Sequence, residues 1–312
     1  MKAVQINSYG GSEVLELKNI SQPHASKGQV LVEVHAASIN PFDWKIRAGY
    51  LKEMMPLHFP ATLGGDFAGV VVKISEDVSD FKVGDEVYGS AIVLNGGSGT
   101  FAEFAAANTG NTAHKPKTVN FEQAAALPLV GASAIQALEV YIKLQKGQKI
   151  LIHGGAGGIG GVAIQLAKSI GAYVVTTVSQ DDKEYVRKLG ADEVIDYKNE
   201  KFEEKLKDLD AVFDNVGGET TDRSFLVLKK GGVIVSMLGQ PNPQLAQQHG
   251  VIGIGQGTEI NTKSLKRLAE LVDRGKIKAQ VDKVFPLDRV REAFEYQEKD
   301  SPRGKVVLKV KS

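Results

Sequence analysis

Hydrophobic and polar positions recur at two different periods along this chain, and the change falls near residue 120. Before it, short β-rich runs are punctuated by glycine. Residues 29–35 (Gln-Val-Leu-Val-Glu-Val-His) alternate in the manner of a half-buried strand, and residues 67–74 form a second β-rich run. Residues 83–89 read as a turn feeding a strand, and residues 99–104 as the next strand. Short strands at this spacing predict a compact β-barrel. After Phe121 the period becomes helical over residues 122–140, with an interruption at 128–131. Strands at 149–153, 173–178, 193–197, 210–216 and 233–238 then alternate with helices, including ones starting at Ile159 and Asp182. Near-continuous apolar strands separated by helices predict a parallel sheet covered on both faces. One more helix, at 262–274, and a strand at 305–311 complete the pattern, with no internal repeat or low-complexity tract.

Composition narrows the chemistry. The 312 residues carry a net charge of +1, so no strong field draws the chain to nucleic acid or an anionic membrane. No apolar stretch approaches the roughly 18 residues of a membrane span. The opening residues Met1-Lys2-Ala3-Val4-Gln5-Ile6 are too mixed for a secretory signal, and the expectation is a soluble, cytoplasmic protein. The absence of cysteine removes disulfides, thiolate nucleophiles and cysteine-ligated zinc. Six histidines remain, at 24, 35, 58, 114, 153 and 249, and none forms a ligand pair on a helix, so no metal site is expected.

The sharpest local signal is Ile150-Leu151-Ile152-His153-Gly154-Gly155-Ala156-Gly157-Gly158-Ile159-Gly160. Gly155, Gly157 and Gly160 fit G-x-G-x-x-G between an apolar strand and a helix. The first glycine permits the turn, the second admits a pyrophosphate to the backbone, and the third lets helix and strand pack closely. Ile159, Val162, Ala163, Leu166, Ala167 and Ile170 recur at helical spacing and predict one buried stripe. The choice of dinucleotide is read one strand later. An NAD site places an acidic residue about 20 positions on, whereas Ser179 stands here, with Lys183 nearby to meet a 2′-phosphate. A solvated helix lysine would give the same pattern. Asp181 and Asp182 read as cap and first-turn residues of the next helix.

With these residues in view, the chain resembles the medium-chain dehydrogenase/reductase superfamily, in its zinc-free quinone oxidoreductase (zeta-crystallin-like) branch. The likeness rests on residues 155–168, on Ala37-Ser38-Ile39-Asn40-Pro41-Phe42-Asp43, on Gly64-Gly65-Asp66-Phe67-Ala68-Gly69-Val70, on residues 82–89, and on Gly304-Lys305-Val306-Val307-Leu308. It implies an α/β protein: a GroES-like β-barrel catalytic domain (1–120), a Rossmann NADP-binding domain with a doubly wound parallel sheet (121–255), and a return to the catalytic domain (256–312). Zinc-dependent members carry a cysteine where this chain has Asn40 and a His-Glu pair where it has Gly65-Asp66.

The resemblance further implies that NADPH is held by Gly155, Ala156, Gly157, Gly158 and Ile159. Ser179, Lys183 and Tyr197 would surround the adenosine 2′-phosphate. Asn215, Val216 and Gly217, then Leu238, Gly239 and Gln240, would follow the fourth and fifth strands, with Ser133 near the nicotinamide. Without a metal to polarise a carbonyl, the suitable acceptors are quinones and α,β-unsaturated carbonyls, in which conjugation spreads the incoming charge. Asn40, Lys45 and Tyr50 lie in the segment that lines the substrate pocket of relatives. Lys45 is the preferred oxyanion partner or proton relay, with a solvent-facing lysine as the other reading. A homodimer is implied. The alternative from another class is a non-catalytic NADPH-binding protein, a redox sensor or structural protein. A short-chain dehydrogenase is disfavoured, because the one Tyr-x-x-x-Lys candidate, Tyr197 to Lys201, follows the glycine loop too closely.

Overall fold

The structure is a computed structural model describing residues 1–311. It divides into two units. The first comprises Met1–Leu129, Ile260–Asp273 and residues from 279 onward; the second comprises Val130–Glu259 and Arg274–Lys278.

The first unit begins with β1 (Lys2–Ile6), β2 (Glu16–Asn19), β3 (Gln29–Ile39), α1 (Pro41–Arg47), β4 (Ala61–Thr62), β5 (Asp66–Ile74), β6 (Glu86–Ser90), β7 (Phe104–Asn108), β8 (Thr112–His114) and α2 (Phe121–Ala125). Helix α3 (Pro128–Ile135) leads into the second unit. That unit runs β9 (Lys149–His153), α4 (Gly158–Ile170), β10 (Tyr173–Val178), α5 (Lys183–Lys188), β11 (Glu193–Asp196), α6 (Phe202–Lys205), β12 (Leu209–Asp214), α7 (Glu219–Ser224), β13 (Leu228–Ser236), α8 (Pro243–His249) and β14 (Ile252–Gly255). The chain returns to the first unit with α9 (Thr262–Asp273), β15 (Val281–Pro286), α10 (Val290–Lys299) and β16 (Lys305–Lys309).

Strand β3 organises the first unit. One of its edges pairs with β5, while the other is shared by β7 over its first half and β16 over its second. The resulting path is β15-β16-β3-β5-β6-β8, with β7 on β3, beside a small sheet β2-β1-β4. Among the described residues no pairing joins β15 to β8, so the pairing gives an open seven-stranded sheet where strand spacing alone suggested a closed barrel. Two register shifts against β5, at Leu31/Val32 and Val34/Ala36, bend β3 where its other edge changes partner. Val32, Ile39, Phe67, Val87, Phe101, Phe294 and Leu308 belong to one buried cluster in this unit.

Two local expectations shift. The strand expected at 99–104 begins at Phe104, because Thr100 and Phe101 both donate backbone N–H bonds to the Leu63 carbonyl (3.0 Å each) in a crossing loop. The helical break falls at Ala126-Leu127, and Pro128 opens α3 instead of interrupting it, since a proline at the first helical position loses no intrahelical bond.

The second unit is a six-stranded parallel sheet in the order β11-β10-β9-β12-β13-β14, a doubly wound α/β topology. Helix α4 departs from the single stripe expected of it: Gly160 to Ala167 are all buried. Gln165 explains one covered side, donating to the Lys278 carbonyl (3.1 Å) and accepting from its N–H (2.9 Å). Strand β14 escaped the sequence reading because Ile252-Gly253-Ile254-Gly255 is half glycine. Strand β15 and helix α10 also went unread. Among the described residues no helix is long and apolar enough to cross a membrane.

Candidate functional site

The glycine turn sits between β9 and α4, at the place where strand order reverses between β10 and β12. Ligands of open parallel sheets bind at that crevice. A Cβ added at Gly155 would stand 2.1 Å from Thr176 Oγ1, and one at Gly160 would stand 2.2 Å from the Gly154 carbonyl. Both glycines are therefore demanded by packing. Gly157 is different: the nearest atom to an added Cβ is 3.5 Å away. Gly157 is the N-cap of α4, whose first N–H groups have no partner within the helix. Ala156, Gly158 and Ile159 beside it are partly exposed. Open backbone at a helix start is what an anionic group requires.

Three loops converge here. A Cβ on Gly154 would lie 3.6 Å from Val216, and one on Gly217 would lie 2.6 Å from Leu238 Cβ. The turn, the loop after β12 and the loop after β13 are thus neighbours. Val216 and Leu238 each leave about half their surface to solvent. Asn215 donates to the His153 carbonyl (3.0 Å), while its Oδ1 is buried without a partner. Gln240 turns back to β14, bonding the Gly253 carbonyl and the Gly255 N–H (3.0 Å each), with Gly239 at φ +125° before it. Ser133 is buried, with its hydroxyl 2.7 Å from that of Thr258. Gln256 donates to the Ser133 carbonyl (3.0 Å) and also leaves a buried Oε1 without a partner. The sequence reading missed Gln256, because no motif marks the loop after β14. Two orphaned buried acceptors fit a ligand that brings donors, such as ribose hydroxyls and a carboxamide, so the residues present suit a dinucleotide.

His153, at the end of β9, is buried with both ring nitrogens bonded. Its Nδ1 lies 2.9 Å from Thr177 Oγ1 and its Nε2 lies 3.0 Å from Ser224 Oγ. Ser224 spends its own proton on the Thr220 carbonyl (2.6 Å), so Nε2 donates and Nδ1 accepts. Burial pushes its pKa down to about 4. The histidine is a neutral strut between strands.

At the adenosine end, Ser179, Lys183 and Tyr197 lie after β10, at the start of α5 and after β11 respectively. Ser179 Oγ donates to Asp182 (2.8 Å) and Lys183 Nζ to Glu200 (3.2 Å), while Tyr197 is 60% exposed. Asp182 was legible in the sequence as a cap or first-turn residue, whereas nothing local pointed to Glu200 as the partner of Lys183.

The first unit holds the other candidates. Asn40 caps α1, reinforced by Asp43, which accepts the Asn40 N–H (2.7 Å). Its side chain is buried, donating to Asp66 (2.9 Å) and accepting from the Lys305 ammonium. Both ends of the Asn40 amide are thus committed to charged neighbours. Lys305 also donates to the Ile39 carbonyl (2.6 Å) and lies 3.9 Å from Asp66. Asp66 Oδ2 accepts from Ser38, Asn40 and the Leu129 N–H, while Oδ1 is buried without a partner. Burial pushes the Asp43 carboxyl up to about 7, raises Asp66 and lowers Lys305. Lys45 and Tyr50 flank Trp44: the Lys45 ammonium is 5.7 Å from that ring, and the Tyr50 ring meets it edge-on at 5.6 Å. Lys45 is half-buried and Tyr50 exposed.

This cluster does not suit a metal. Among the described residues no group of three or more His, Cys, Asp or Glu could hold one. The Asn40 and Asp66 side chains already share a buried ammonium, which a divalent cation would have to expel.

Residues 26–117 match the family described as alcohol dehydrogenase GroES-like domain, and residues 189–308 match the one described as zinc-binding dehydrogenase. The chain is 38% identical to the mouse mitochondrial NAD(P)H oxidoreductase RTN4IP1, over 99% of this chain and 89% of that protein. It is 40% identical to the chloroplastic NADPH-dependent alkenal/one oxidoreductase of Arabidopsis thaliana, over 99% of this chain and 79% of that one. The solved quinone oxidoreductase of Coxiella burnetii superimposes with a TM-score of 0.90 at 34% identity, over 100% and 99% of the two chains. The mitochondrial name of the mouse relative, shared by its human, bovine and zebrafish counterparts, overturns the cytoplasmic expectation. Composition and a missing membrane span do not distinguish one aqueous compartment from another.

Proposed function

The chain belongs to the medium-chain dehydrogenase/reductase superfamily, in its zinc-independent quinone and enone oxidoreductase branch, and from that premise we infer that it reduces quinones or α,β-unsaturated carbonyls with NADPH. The observation that carries this reading is the glycine turn, where Gly155 and Gly160 are packed tight and Gly157 is left open at the helix start. When bound, the reduced nicotinamide supplies a hydride from C4 to an acceptor that is already electrophilic.

The residues of the chain bind, orient and polarise. Backbone N–H groups of Ala156, Gly158 and Ile159 hold the pyrophosphate over the open Gly157, whose own N–H is taken by the Gly154 carbonyl (3.2 Å), and Ser179, Lys183 and Tyr197 face the 2′-phosphate. Asn215 Oδ1 and Gln256 Oε1, the orphaned acceptors, take ribose and carboxamide donors. Ser133, Val216, Gly217, Leu238, Gly239 and Gln240 complete the walls of the cofactor site. Residues 1–120 and the rest of 256–312 then serve the acceptor, and residues 121–255, with Gln256, the cofactor. Phe42, Tyr50, Met54, Met55 and Phe59 are large apolar side chains left exposed within one short segment, a surface suited to a flat, apolar acceptor. Lys45 donates to the oxygen on which negative charge develops, with Tyr50 beside it; Asn40 holds the base of that helix. Assembly as a homodimer belongs to the same reading, supported by exposed Ile252 on β14, the last strand of its sheet.

The test is a panel of quinones and enones assayed in parallel with NADPH and NADH, with and without a chelator. Saturable NADPH oxidation that the chelator leaves intact is expected. Lys45→Ala should lower kcat on the order of 100-fold, the usual effect of removing one oxyanion donor. Unchanged turnover removes Lys45 from the mechanism, and no saturable binding of either nucleotide removes the assignment.

A further inference from the structure

Two of the three side chains read as surrounding the 2′-phosphate are already donating to carboxylates: Ser179 to Asp182 and Lys183 to Glu200. The second contact is well enclosed, with 18% of the Lys183 side chain and 24% of the Glu200 side chain exposed. Glu200 is also fixed independently of Lys183. Its Oε1 accepts the Asp196 N–H at the end of β11 (3.2 Å), and its Oε2 accepts the Lys205 ammonium of α6. Swinging Lys183 toward a ligand therefore leaves the carboxylate in place. Those same donors hold the Glu200 carboxyl down at about 2, so it stays ionised at any working pH.

The consequence follows from charge. A 2′-phosphate brings between one and two negative charges against an ammonium whose field is already partly cancelled, with a fixed carboxylate behind it. The ribose of NADH brings no such charge, and its hydroxyls are donors that Asp182 accepts readily. We propose that Glu200, with Asp182, sets the cofactor selectivity of this site by restraining its preference for NADPH, so that NADH is used as well. The proposal rests on the reading of Ser179 and Lys183 given above.

The test uses the full chain and titrates NADPH and NADH separately by nucleotide fluorescence, for the wild type, Glu200→Gln, Lys183→Ala and the double variant. Glu200→Gln should tighten NADPH binding roughly two- to fivefold, the range of a partly exposed ion pair, and change NADH binding less. The gain should shrink as salt is raised and disappear in the Lys183→Ala background. Asp182→Asn should shift the ratio the same way by weakening NADH, which keeps the question answerable if Glu200→Gln folds poorly. NADPH binding that is unchanged or weaker in Glu200→Gln, with NADH binding retained, overturns the proposal and makes Glu200 a positioner of Lys183. A wild-type chain that binds neither nucleotide overturns the cofactor reading itself, and this proposal with it.

Discussion

Two buried polar centres, one in each unit, are built in opposite ways. In the nucleotide unit, His153 is neutral, bonded at both nitrogens, and its partners Thr177 and Ser224 are borrowed from neighbouring elements of one sheet and helix layer. In the first unit, Asp43, Asp66 and Lys305 bring ionisable groups into the interior around the Asn40 amide, and one oxygen of Asp66 is left without a partner. The first arrangement is closed and serves as scaffold. The second is held together by mutual attraction between ions that would each be costly alone. Where a fold needs only rigidity, neutral hydroxyls suffice; where it must keep a cation inside, it accepts an imperfectly satisfied neighbour.

Breaking the charged centre should have the largest effect. Lys305→Met leaves Asp66 buried with its nearest cation gone, and removing one partner of a buried pair costs about 3–5 kcal/mol. Denaturant unfolding should show a loss of that order, and Asp66→Asn in the same chain should recover most of it. If Lys305→Met unfolds at the wild-type midpoint, the cluster is not held by its ammonium, and the contrast between the units disappears.

Acid titration sharpens the comparison, because the two centres have opposite signs. The folded pKa of His153 is lowered from 6.5 to about 4, so between those values the unfolded chain binds the extra proton and stability falls as pH falls. The full window is worth on the order of 3 kcal/mol. The folded pKa of Asp43 is raised from 3.8 to about 7, so the folded chain binds the extra proton and stability rises as pH falls through that range. Asp66 is raised as well and works in the same direction. Unfolding midpoints between pH 4 and 7 should therefore drop more steeply in Asp43→Asn than in the wild type, and less steeply in His153→Gln. Parallel profiles in all three proteins would count against both assignments.

The difference between the units also explains what could be read from the chain. The glycine turn was legible because its glycines lie within seven residues, 154–160, and Gly155 and Gly160 answer to a neighbour one strand or a few positions away. The charged cluster was not, because it joins residues 40, 43, 66 and 305 across the whole chain, and only the registers of β5 and β16 on β3 bring them together. Lys305 stood in a quoted motif, yet nothing local marks a lysine as buried. The same limit hid Glu200 from Lys183 and Gln256 from Ser133. Closure of the first sheet was unreadable for a related reason: strand spacing carries no information on which edge β3 offers to which partner.

The smallest expected effect separates packing from binding inside the turn itself. Gly160→Ala would push a methyl to within 2.2 Å of the Gly154 carbonyl, so the helix must retreat from the strand. Overpacking of this kind costs about 1–3 kcal/mol, which should appear as an earlier unfolding midpoint. Gly157→Ala meets nothing closer than 3.5 Å and has an extended φ of −74°, so it should fold with nearly wild-type stability. Its methyl instead occupies the backbone face on which the pyrophosphate is proposed to rest, and NADPH binding should weaken about tenfold, a cost near 1.4 kcal/mol. Calorimetric titration with denaturation curves on both variants tests the division. If Gly157→Ala bound NADPH normally, the open glycine would be only a turn residue, and the phosphate would have to be placed elsewhere along the loop.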